Sequence, residues 1–305
     1  MTTAIRSERG IPLISSETHQ RVLDCGTDVP EQPPSFALPL DEVGISGKTL
    51  WVTLPEGRLP FEATVTIDLP AEHRGIHMSR IEQAVTDLYE QRFSRLSDYA
   101  VTLAAKVAER QQGGNARVVI EGKRPLLRHA SISGHVSVDP LLCRVEAQVK
   151  REKDGLRTQV ANGIAVCHIT ACPCTQVYNH EVFSERGDCP MPTHSQRSQT
   201  WLFLSGPPPL PADDELLSCL EEALHLTQDL LKRPDEAEIV LKSHRFPQFA
   251  EDAVRETARA VARRFSSGLP AATGVIIESL SLESIHIHNV CCRLSTNLGA
   301  LCARL

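Results

Sequence analysis

Long apolar stretches and an excess of positive charge are both absent from this sequence. No run approaches the 18 apolar residues of a membrane-spanning helix, and residues 1–20 lack the apolar core of a secretion signal. We therefore expect a cytoplasmic protein with no membrane partner, in a compartment where thiols stay reduced. The formal net charge of −6 argues against a general nucleic-acid-binding protein, but it still allows a local pocket for an anion.

The composition is otherwise that of a globular protein with many cysteines. Its 305 residues are enough for one large domain or two ordinary ones, and 41% of them are hydrophobic and 23% charged. Ten cysteines in a reducing compartment are more often core residues, metal ligands or catalytic groups than disulfides. The position of each cysteine along the chain therefore bears on function.

The first half of the chain predicts two strands, two helices and two more strands. Residues 1–45 are polar and interrupted by proline, which favours an N-terminal arm, a linker or a strap across a neighbouring subunit. Apolar and polar residues alternate strictly from Phe61 to Leu69, as in a half-buried strand. The predicted elements lie at 49–54, 61–69, 79–88, 96–107, 117–122 and 131–149.

The same order of elements is predicted again in the second half. Its strands are expected at 156–171, 198–205 and within 274–295, with one helix from Asp213 or Asp214 to Pro234 and another over 247–265. The fold class is therefore α+β, with two tandem ββααββ modules of antiparallel sheet that carry helices on one face. We place the modules at 46–152 and 153–305. Their uncovered end strands would invite pairing between subunits.

Thiol and imidazole groups are concentrated between residues 167 and 198. Cys172 and Cys174 stand at the end of a predicted strand, and His194 precedes the next strand. Two further segments offer candidate ligands, Glu236 after a predicted helix and His286 on a predicted strand. Sulfur, nitrogen and oxygen donors of this kind suit zinc or a similar first-row metal. The sequence therefore predicts a transition-metal site at neighbouring strand ends.

In combination these segments resemble the type IB GTP cyclohydrolases, a family of bimodular tunnelling-fold enzymes that begin pterin synthesis. The motifs that carry the resemblance are RGIHMSR (74–80), ACPC (171–174), THSQRS (193–198), LLKRPDE (230–236), FAEDAVR (249–255) and ESIHIH (283–288). The resemblance implies metal-dependent hydrolysis of GTP to 7,8-dihydroneopterin triphosphate and formate, the first step towards pterins and tetrahydrofolate. It also implies a homotetramer with active sites where subunits meet.

The resemblance further implies a role for individual residues. One divalent metal per chain, zinc, manganese or iron, would be held by Cys172, His194, Glu236 and His286. Cys174 would be a second active-site thiol that does not bind the metal, Glu251 a further active-site carboxylate, and Glu283 the carboxylate that binds the guanine edge. The residues implied for the rest of the substrate, chiefly its triphosphate, are Arg74, His77, Ser79, Arg80, Arg197, Lys232 and Arg233.

These residue types match the chemistry of the reaction. Opening the guanine imidazole ring requires hydroxide at C8, and a metal lowers the pKa of its water from about 15.7 to roughly 7. A partly desolvated carboxylate such as Glu251 can transfer the protons, although the sequence alone favours an exposed glutamate at a helix start. Glu283 could accept both N–H groups of the guanine pairing edge at once.

Two features leave the ligand set open. The loop at 179–192 contains three rival ligands, His180, Glu181 and Cys189. In a regular strand His286 and His288 would face one side and Glu283 the other, so the chain must turn or bulge if all three reach one pocket.

Other functions are compatible with the same residues. The product could be a dihydroneopterin cyclic phosphate, as the resemblance suggests for archaeal-type relatives. The metal could instead stabilise a non-catalytic binding module, or Cys174 could be the nucleophile of a thiol hydrolase with His180 or His194 as its base. The remaining cysteines are assigned to packing: Cys25, Cys143, Cys167, Cys219, Cys291, Cys292 and Cys302.

Overall fold

One antiparallel sheet runs through the chain in the computed structural model, which describes residues 14–111, 113–183 and 190–305. The strands are β1 (Leu40–Leu54), β2 (Gly57–Leu69), β3 (Asn115–His129), β4 (Val136–Glu152), β5 (Gly155–Ala171), β6 (Ser195–Gly206), β7 (Gly274–Ser281) and β8 (Val290–Asn297). The helices are α1 (Ser16–Cys25), α2 (Met78–Thr86), α3 (Leu96–Arg110), α4 (Pro173–Phe183), α5 (Asp213–Ala223), α6 (Arg233–Arg245), α7 (Ala250–Phe265) and α8 (Leu298–Cys302). A short 3₁₀ turn covers Val29–Glu31.

The strands follow one another in the sheet in sequence order, from β1 at one edge to β8 at the other. Burial alternates along them, for example at Cys143, Val145, Ala147 and Val149 of β4, so the apolar side chains share one face. Helix α3 packs on β3 and β4, and α7 packs on β7 and β8. The predicted α+β class is confirmed, and the first half has the predicted ββααββ order. In the second half the strands follow the predicted order, but α4 lies between β5 and β6 and α6 is an additional helix between α5 and α7.

The two halves share a continuous hydrogen-bonded ladder. Strands β4 and β5 pair from Leu142 opposite Ala165 to Glu152 opposite Gly155. The predicted turn between them is present, and Gly155 adopts a φ of 137°, a conformation that favours glycine. The module limits at 46–152 and 153–305 stay a prediction, since one sheet contains the strands of both.

Three local predictions are wrong. The first strand was predicted at 49–54, but β1 begins already at Leu40, within the segment assigned to the N-terminal arm. The segment after Cys172 forms helix α4 rather than continuing as a loop. Pro234 does not end a helix but occupies the first turn of α6, where its missing N–H costs no hydrogen bond.

The cysteines divide into buried and exposed groups. Cys143 and Cys219 are buried as predicted, and burial raises the pKa of the Cys143 thiol to about 12 and that of Cys219 to about 11. Cys25, Cys167 and Cys291 are exposed, so their assignment to packing is wrong. Cys189 lies outside the described residues. None of the described helices is long and apolar enough to cross a membrane.

Candidate active site

Three strand ends meet at one end of the second half. Ala171, the last residue of β5, lies opposite Ser195, the first residue of β6. Ser281, the last residue of β7, lies opposite Ser198 of β6. Residues that follow β5 and β7 and that precede β6 are therefore neighbours in space, as the sequence predicted for Cys172 and His194.

Cys172 and His194 extend the ladder between β5 and β6 by one step. The Cys172 backbone N–H donates to the His194 carbonyl at 3.1 Å, and the Thr193 hydroxyl donates to the Cys172 carbonyl at 2.6 Å. The Thr175 hydroxyl, in the first turn of α4, donates to the Cys172 sulfur at 3.6 Å. The thiol and the imidazole thus start from adjacent, mutually bonded backbone positions.

The loop between β7 and β8 brings two more imidazoles to the same end. The rings of His194 and His286 are perpendicular with centroids 6.4 Å apart, and His288 stacks on His286 at 5.1 Å. Residues 282–289 form no strand, and 284–288 within them form bends. The turn that the sequence required between Glu283 and His286 is therefore present, and the prediction that His286 lies on a strand is wrong.

Gln196 links His194 to Glu283 and was missed as a site residue by the sequence reasoning. Its amide oxygen lies 3.1 Å from His194 Nδ1, and its amide nitrogen donates to Glu283 Oε1 at 3.2 Å. Since the oxygen can only accept, His194 Nδ1 donates in this pair, and Nε2 keeps its lone pair for a metal. Strand alternation could have revealed Gln196, which follows His194 by two positions and therefore shares its side of β6.

Buried hydroxyl groups on the ends of β5, β6 and β7 form hydrogen bonds with Gln196 and Glu283. Ser281 donates to Glu283 Oε1 at 3.0 Å, and Thr170 lies within hydrogen-bond distance of Ser198 (2.8 Å), Ser281 (3.2 Å) and Gln196 (3.1 Å). Their hydrogen bonds fix Glu283 Oε1 in place. We call the group formed by Cys172, His194, Gln196, Glu283 and His286 the strand-end cluster.

In the described part of the chain, no side-chain hydrogen bond or ion pair joins Glu236 to the strand-end cluster. Glu236 is exposed in the first turn of α6, beside the buried Asp235. Asp235 accepts hydrogen bonds from the backbone N–H groups of Ser133 (2.9 Å), Ile132 (3.0 Å) and Lys232 (3.0 Å). The hydrogen bonds with Ser133, more than the others, hold the pKa of Asp235 below its ordinary value. Among the described residues, no three of the four predicted ligand atoms lie within 4.8 Å of one another.

Cys174 and Glu251 lie at the starts of two helices near the strand-end cluster. Cys174 is exposed in the first turn of α4, and Glu251 is exposed in the first turn of α7. The start of α7 is tied to the end of β5, since Ala171 N–H donates to the Gln248 carbonyl at 3.2 Å. Glu251 lines a groove of about 620 Å³ between α7 and β8, opposite Cys292. Burial, with a smaller contribution from Glu251, raises the pKa of the Cys292 thiol.

The predicted phosphate-binding residues are spread over three places. Arg74, His77, Ser79 and Arg80 precede or begin α2, which packs on β1 and α3 in the first half. Lys232 and Arg233 are exposed at the start of α6. Arg197 is exposed on β6, one position from Gln196, and strand alternation therefore directs it to the opposite face of the sheet. Within one chain, no side-chain hydrogen bond of the described residues joins these side chains to the strand-end cluster, although the Arg197 carbonyl accepts from the Leu282 N–H at 3.0 Å.

Two of the three rival ligands in the 179–192 segment, His180 and Glu181, belong to no group of three ligand atoms within 4.8 Å of one another among the described residues. His180 and Glu181 are exposed on α4, and Cys189 lies outside the described residues. Helix α4 is held by Gln176, whose amide donates to the carbonyls of Met191 at 3.1 Å and His244 at 2.7 Å. The helix thus connects Cys172 to the segment that leads back to His194.

Known proteins are similar to this chain in sequence over most of its length. The family model described as type I GTP cyclohydrolase folE2 matches residues 27–292. GTP cyclohydrolase MptA of Methanothermobacter thermautotrophicus is 27% identical over 92% of this chain and 96% of its own length, and MptA of Methanocaldococcus jannaschii is 27% identical over 90% and 96%. In a comparison of structures, a uricase from Bacillus fastidious matches 89% of this chain and 96% of its own length, with a TM-score of 0.48 and 10% sequence identity. The chain belongs to the type I GTP cyclohydrolase family.

Proposed function

We propose that the chain hydrolyses GTP to 7,8-dihydroneopterin triphosphate and formate, as a type IB enzyme that uses one divalent metal. The observation that supports this most directly is the strand-end cluster, in which a thiol, two imidazoles and a carboxylate share one end of the sheet. Family membership supports GTP cyclohydrolase activity in general. The triphosphate product and the use of a divalent metal are proposed for this chain in addition to that general activity.

The donor set of the cluster fits a first-row metal. Cys172, His194 and His286 would hold zinc, manganese or iron, since all three metals accept thiolate and imidazole ligands. Glu236 is proposed as the fourth ligand from the family motif that it completes, with its exposed carboxylate at the start of α6. When bound, the metal would supply hydroxide at neutral pH.

The other residues of the cluster would bind and orient the base. Glu283 Oε1 is held by Gln196 and Ser281, so the carboxylate has a fixed direction before guanine arrives. The two N–H donors of the guanine edge would then meet a preorganised acceptor. Glu251 is proposed to transfer protons, and Cys174 to line the site as a thiol that does not bind the metal.

The separation of the phosphate-binding residues supports sites built from more than one chain. Strands are spaced about 4.8 Å apart, so about 24 Å of sheet separates β1, which supports α2, from β6. We propose that Arg74, Ser79 and Arg80 serve the site of a neighbouring subunit in a homotetramer. Lys232 and Arg233, at a helix start that favours anions, would complete the contacts to the triphosphate together with Arg197.

Formate release from GTP tests this proposal. The metal-loaded chain should release formate, chelation should stop the reaction, and adding metal back should restore it. Cys172→Ala should lower the rate by at least about 100-fold, since loss of a ligand exceeds the usual cost of losing a supporting residue. Cys167→Ala is the matched control, because Cys167 is an exposed cysteine on β5, the strand that leads into Cys172.

The same assay distinguishes the alternatives. A folded, metal-loaded chain that leaves GTP intact would contradict the proposal. Chelation that unfolds the protein would indicate a structural metal, and activity that survives chelation but not alkylation would indicate a thiol hydrolase. Mass spectrometry of the product separates the triphosphate from a cyclic phosphate, the second candidate, which the resemblance to archaeal-type GTP cyclohydrolases leaves open.

A further inference from the structure

A second group of metal-type ligands lies far from the strand-end cluster, in the first half of the chain. Asp28, Glu31 and His77 each offer one ligand atom, and these atoms all lie within 4.8 Å of one another. His77 Nε2 is 3.5 Å from Asp28 Oδ2 and 3.7 Å from Glu31 Oε1. Of the described residues, no other set of three or more His, Cys, Asp or Glu meets this criterion.

These distances suit ligands of one ion better than they suit direct hydrogen bonds. A hydrogen bond between nitrogen and oxygen spans about 2.7–3.2 Å, and His77 Nε2 has no hydrogen-bond partner although the atom is buried. Ligands bound at about 2.1 Å in a tetrahedral site lie about 3.4 Å from one another. The two observed separations are close to that value.

A small cavity adjoins two of the three ligands, Glu31 and His77. It has a volume of about 10 Å³ and is lined by Glu31, His73, His77 and Gln111, among others. His73 Nδ1 is also buried without a hydrogen-bond partner. Two imidazole nitrogens with unused lone pairs or protons therefore border one space of the size of a single water or ion.

The backbone holds the two sides of this group in place. In the 3₁₀ turn the Glu31 N–H donates to the Asp28 carbonyl at 3.2 Å, and side chains three apart in such a turn lie one above the other. Arg74 N–H donates to the carbonyls of Pro30 at 3.0 Å and Gln32 at 2.9 Å. The buried Gln111 side chain donates to the His77 carbonyl at 2.8 Å. The backbone segments that carry the three ligands are thus held in place by these hydrogen bonds.

We propose that Asp28, Glu31 and His77 bind a divalent cation that fastens the N-terminal segment to the loop before α2. One imidazole and two carboxylates suit manganese, iron or zinc. The positively charged side chain of Arg80, on α2, also faces this group, with its guanidinium 4.0 Å from the Glu31 carboxylate. With His77 engaged in this way, Arg74, Ser79 and Arg80 remain for the substrate.

Counting bound Mn²⁺ in the full chain tests the proposal. The wild-type protein and an Asp28→Asn/Glu31→Gln variant are stripped with chelator, reloaded with Mn²⁺ and measured by mass spectrometry of the metal. The variant should hold one Mn²⁺ fewer per chain, or bind that ion at least about 10-fold more weakly. Glu17→Gln/Asp24→Asn, which removes the same charge from the exposed surface of α1, should bind as the wild type does. Equal counts in all three proteins would overturn the proposal.

Hydrogen exchange gives a second readout that does not depend on activity. Mn²⁺ should slow exchange of the Arg74 and Gly75 amides, which donate to the 30–32 backbone, in the wild type and in the α1 variant. It should have no such effect in Asp28→Asn/Glu31→Gln. A protein in which the three side chains form only an ion pair would show the same exchange with and without Mn²⁺, and that result would also refute the cation site.

Discussion

At the scale of single residues, the carboxylate of Glu283 is held in a fixed direction by two hydrogen bonds to one of its oxygens. Oε1 accepts from both Gln196 and Ser281, while the residue itself lies in the loop that follows β7. These two bonds satisfy one oxygen and fix the plane of the carboxylate, which leaves the other oxygen to face a ligand. A glutamine at this position would place an N–H donor group against the N–H donors of guanine. Binding of the base therefore depends both on the negative charge of the carboxylate and on its two equivalent acceptor oxygens.

Glu283→Gln should therefore impair substrate recognition without removing the metal. Loss of hydrogen bonds to a charged acceptor predicts a fall in kcat/KM for GTP of about 10- to 100-fold. Metal content should equal that of the wild type. Glu278→Gln is the control, because Glu278 lies on β7 and pairs with Arg293 at 2.9 Å. An unchanged kcat/KM in Glu283→Gln would exclude the proposed role.

Residue roles were predictable from sequence only where a motif contained them. The proximity of Cys172 and His194 was predictable, because Cys172 directly follows one predicted strand and His194 precedes the next. The part played by Gln196 depends on a side-chain hydrogen bond between β6 and the loop after β7, which no local pattern encodes. The contact of His77 with Asp28 joins segments 49 residues apart, so it too required the fold.

At the scale of elements, buried polar side chains cross the central strands of the second half. His168 of β5 lies 2.8 Å from the Thr200 hydroxyl of β6, which donates to Ser279 of β7 at 2.9 Å. One step nearer the site, Thr170, Ser198 and Ser281 repeat the pattern. These rows fix the register of the three strands whose ends position the strand-end cluster.

The row that contains His168 predicts a loss of stability in acid. Burial lowers the pKa of His168 to about 4, whereas an unfolded histidine titrates near 6.5. Between these values the unfolded chain binds a proton that the folded chain does not, so stability falls as the pH drops from about 6.5 towards 4. The contribution lost reaches about 3 kcal/mol.

Urea unfolding at pH 7 and pH 5 measures this effect. His168→Gln should be less stable than the wild type at pH 7, because it disturbs the bond to Thr200, but it should lose less further stability at pH 5. The exposed His19→Gln in α1 should keep the wild-type pH dependence. Equal slopes for His168→Gln and the wild type would show that His168 does not titrate as described.

Element boundaries were predictable where patterning was strict and failed where it was not. The alternation in β2 and β4 and the apolar stripe of α7 gave those elements close to their observed limits. Helix α4 has no buried residue, so it lacks the apolar stripe by which a helix is recognised. The break between α5 and α6 was concealed because leucines at 224, 226, 230 and 231 continue a helix-like spacing through the connecting segment.

At the scale of the whole molecule, the continuous sheet binds the two halves together. Besides the ladder between β4 and β5, Arg124 of β3 pairs with Glu56 in the first half and with Asp213 at the start of α5 in the second. Asn162 of β5 donates to the same Asp213 at 2.9 Å. The sheet ends at β1 and β8, whose outer edges are the surfaces on which the proposed tetramer would be built.

This connection predicts that both halves unfold in one transition. The chain has two tryptophans, Trp51 in β1 and Trp201 in β6, so Trp51→Phe and Trp201→Phe each leave one fluorescent reporter in one half. Their urea midpoints should coincide at equal protein concentration. Arg124→Ala should lower the free energy of unfolding by about 2 kcal/mol, since it leaves partly buried carboxylates without their partner, and both urea midpoints should therefore fall together. Arg144→Ala, whose pair with Glu121 is exposed, should change both by less than about 1 kcal/mol. Separate midpoints, or a shift confined to one reporter, would mean that the halves are independent folding units despite the shared sheet.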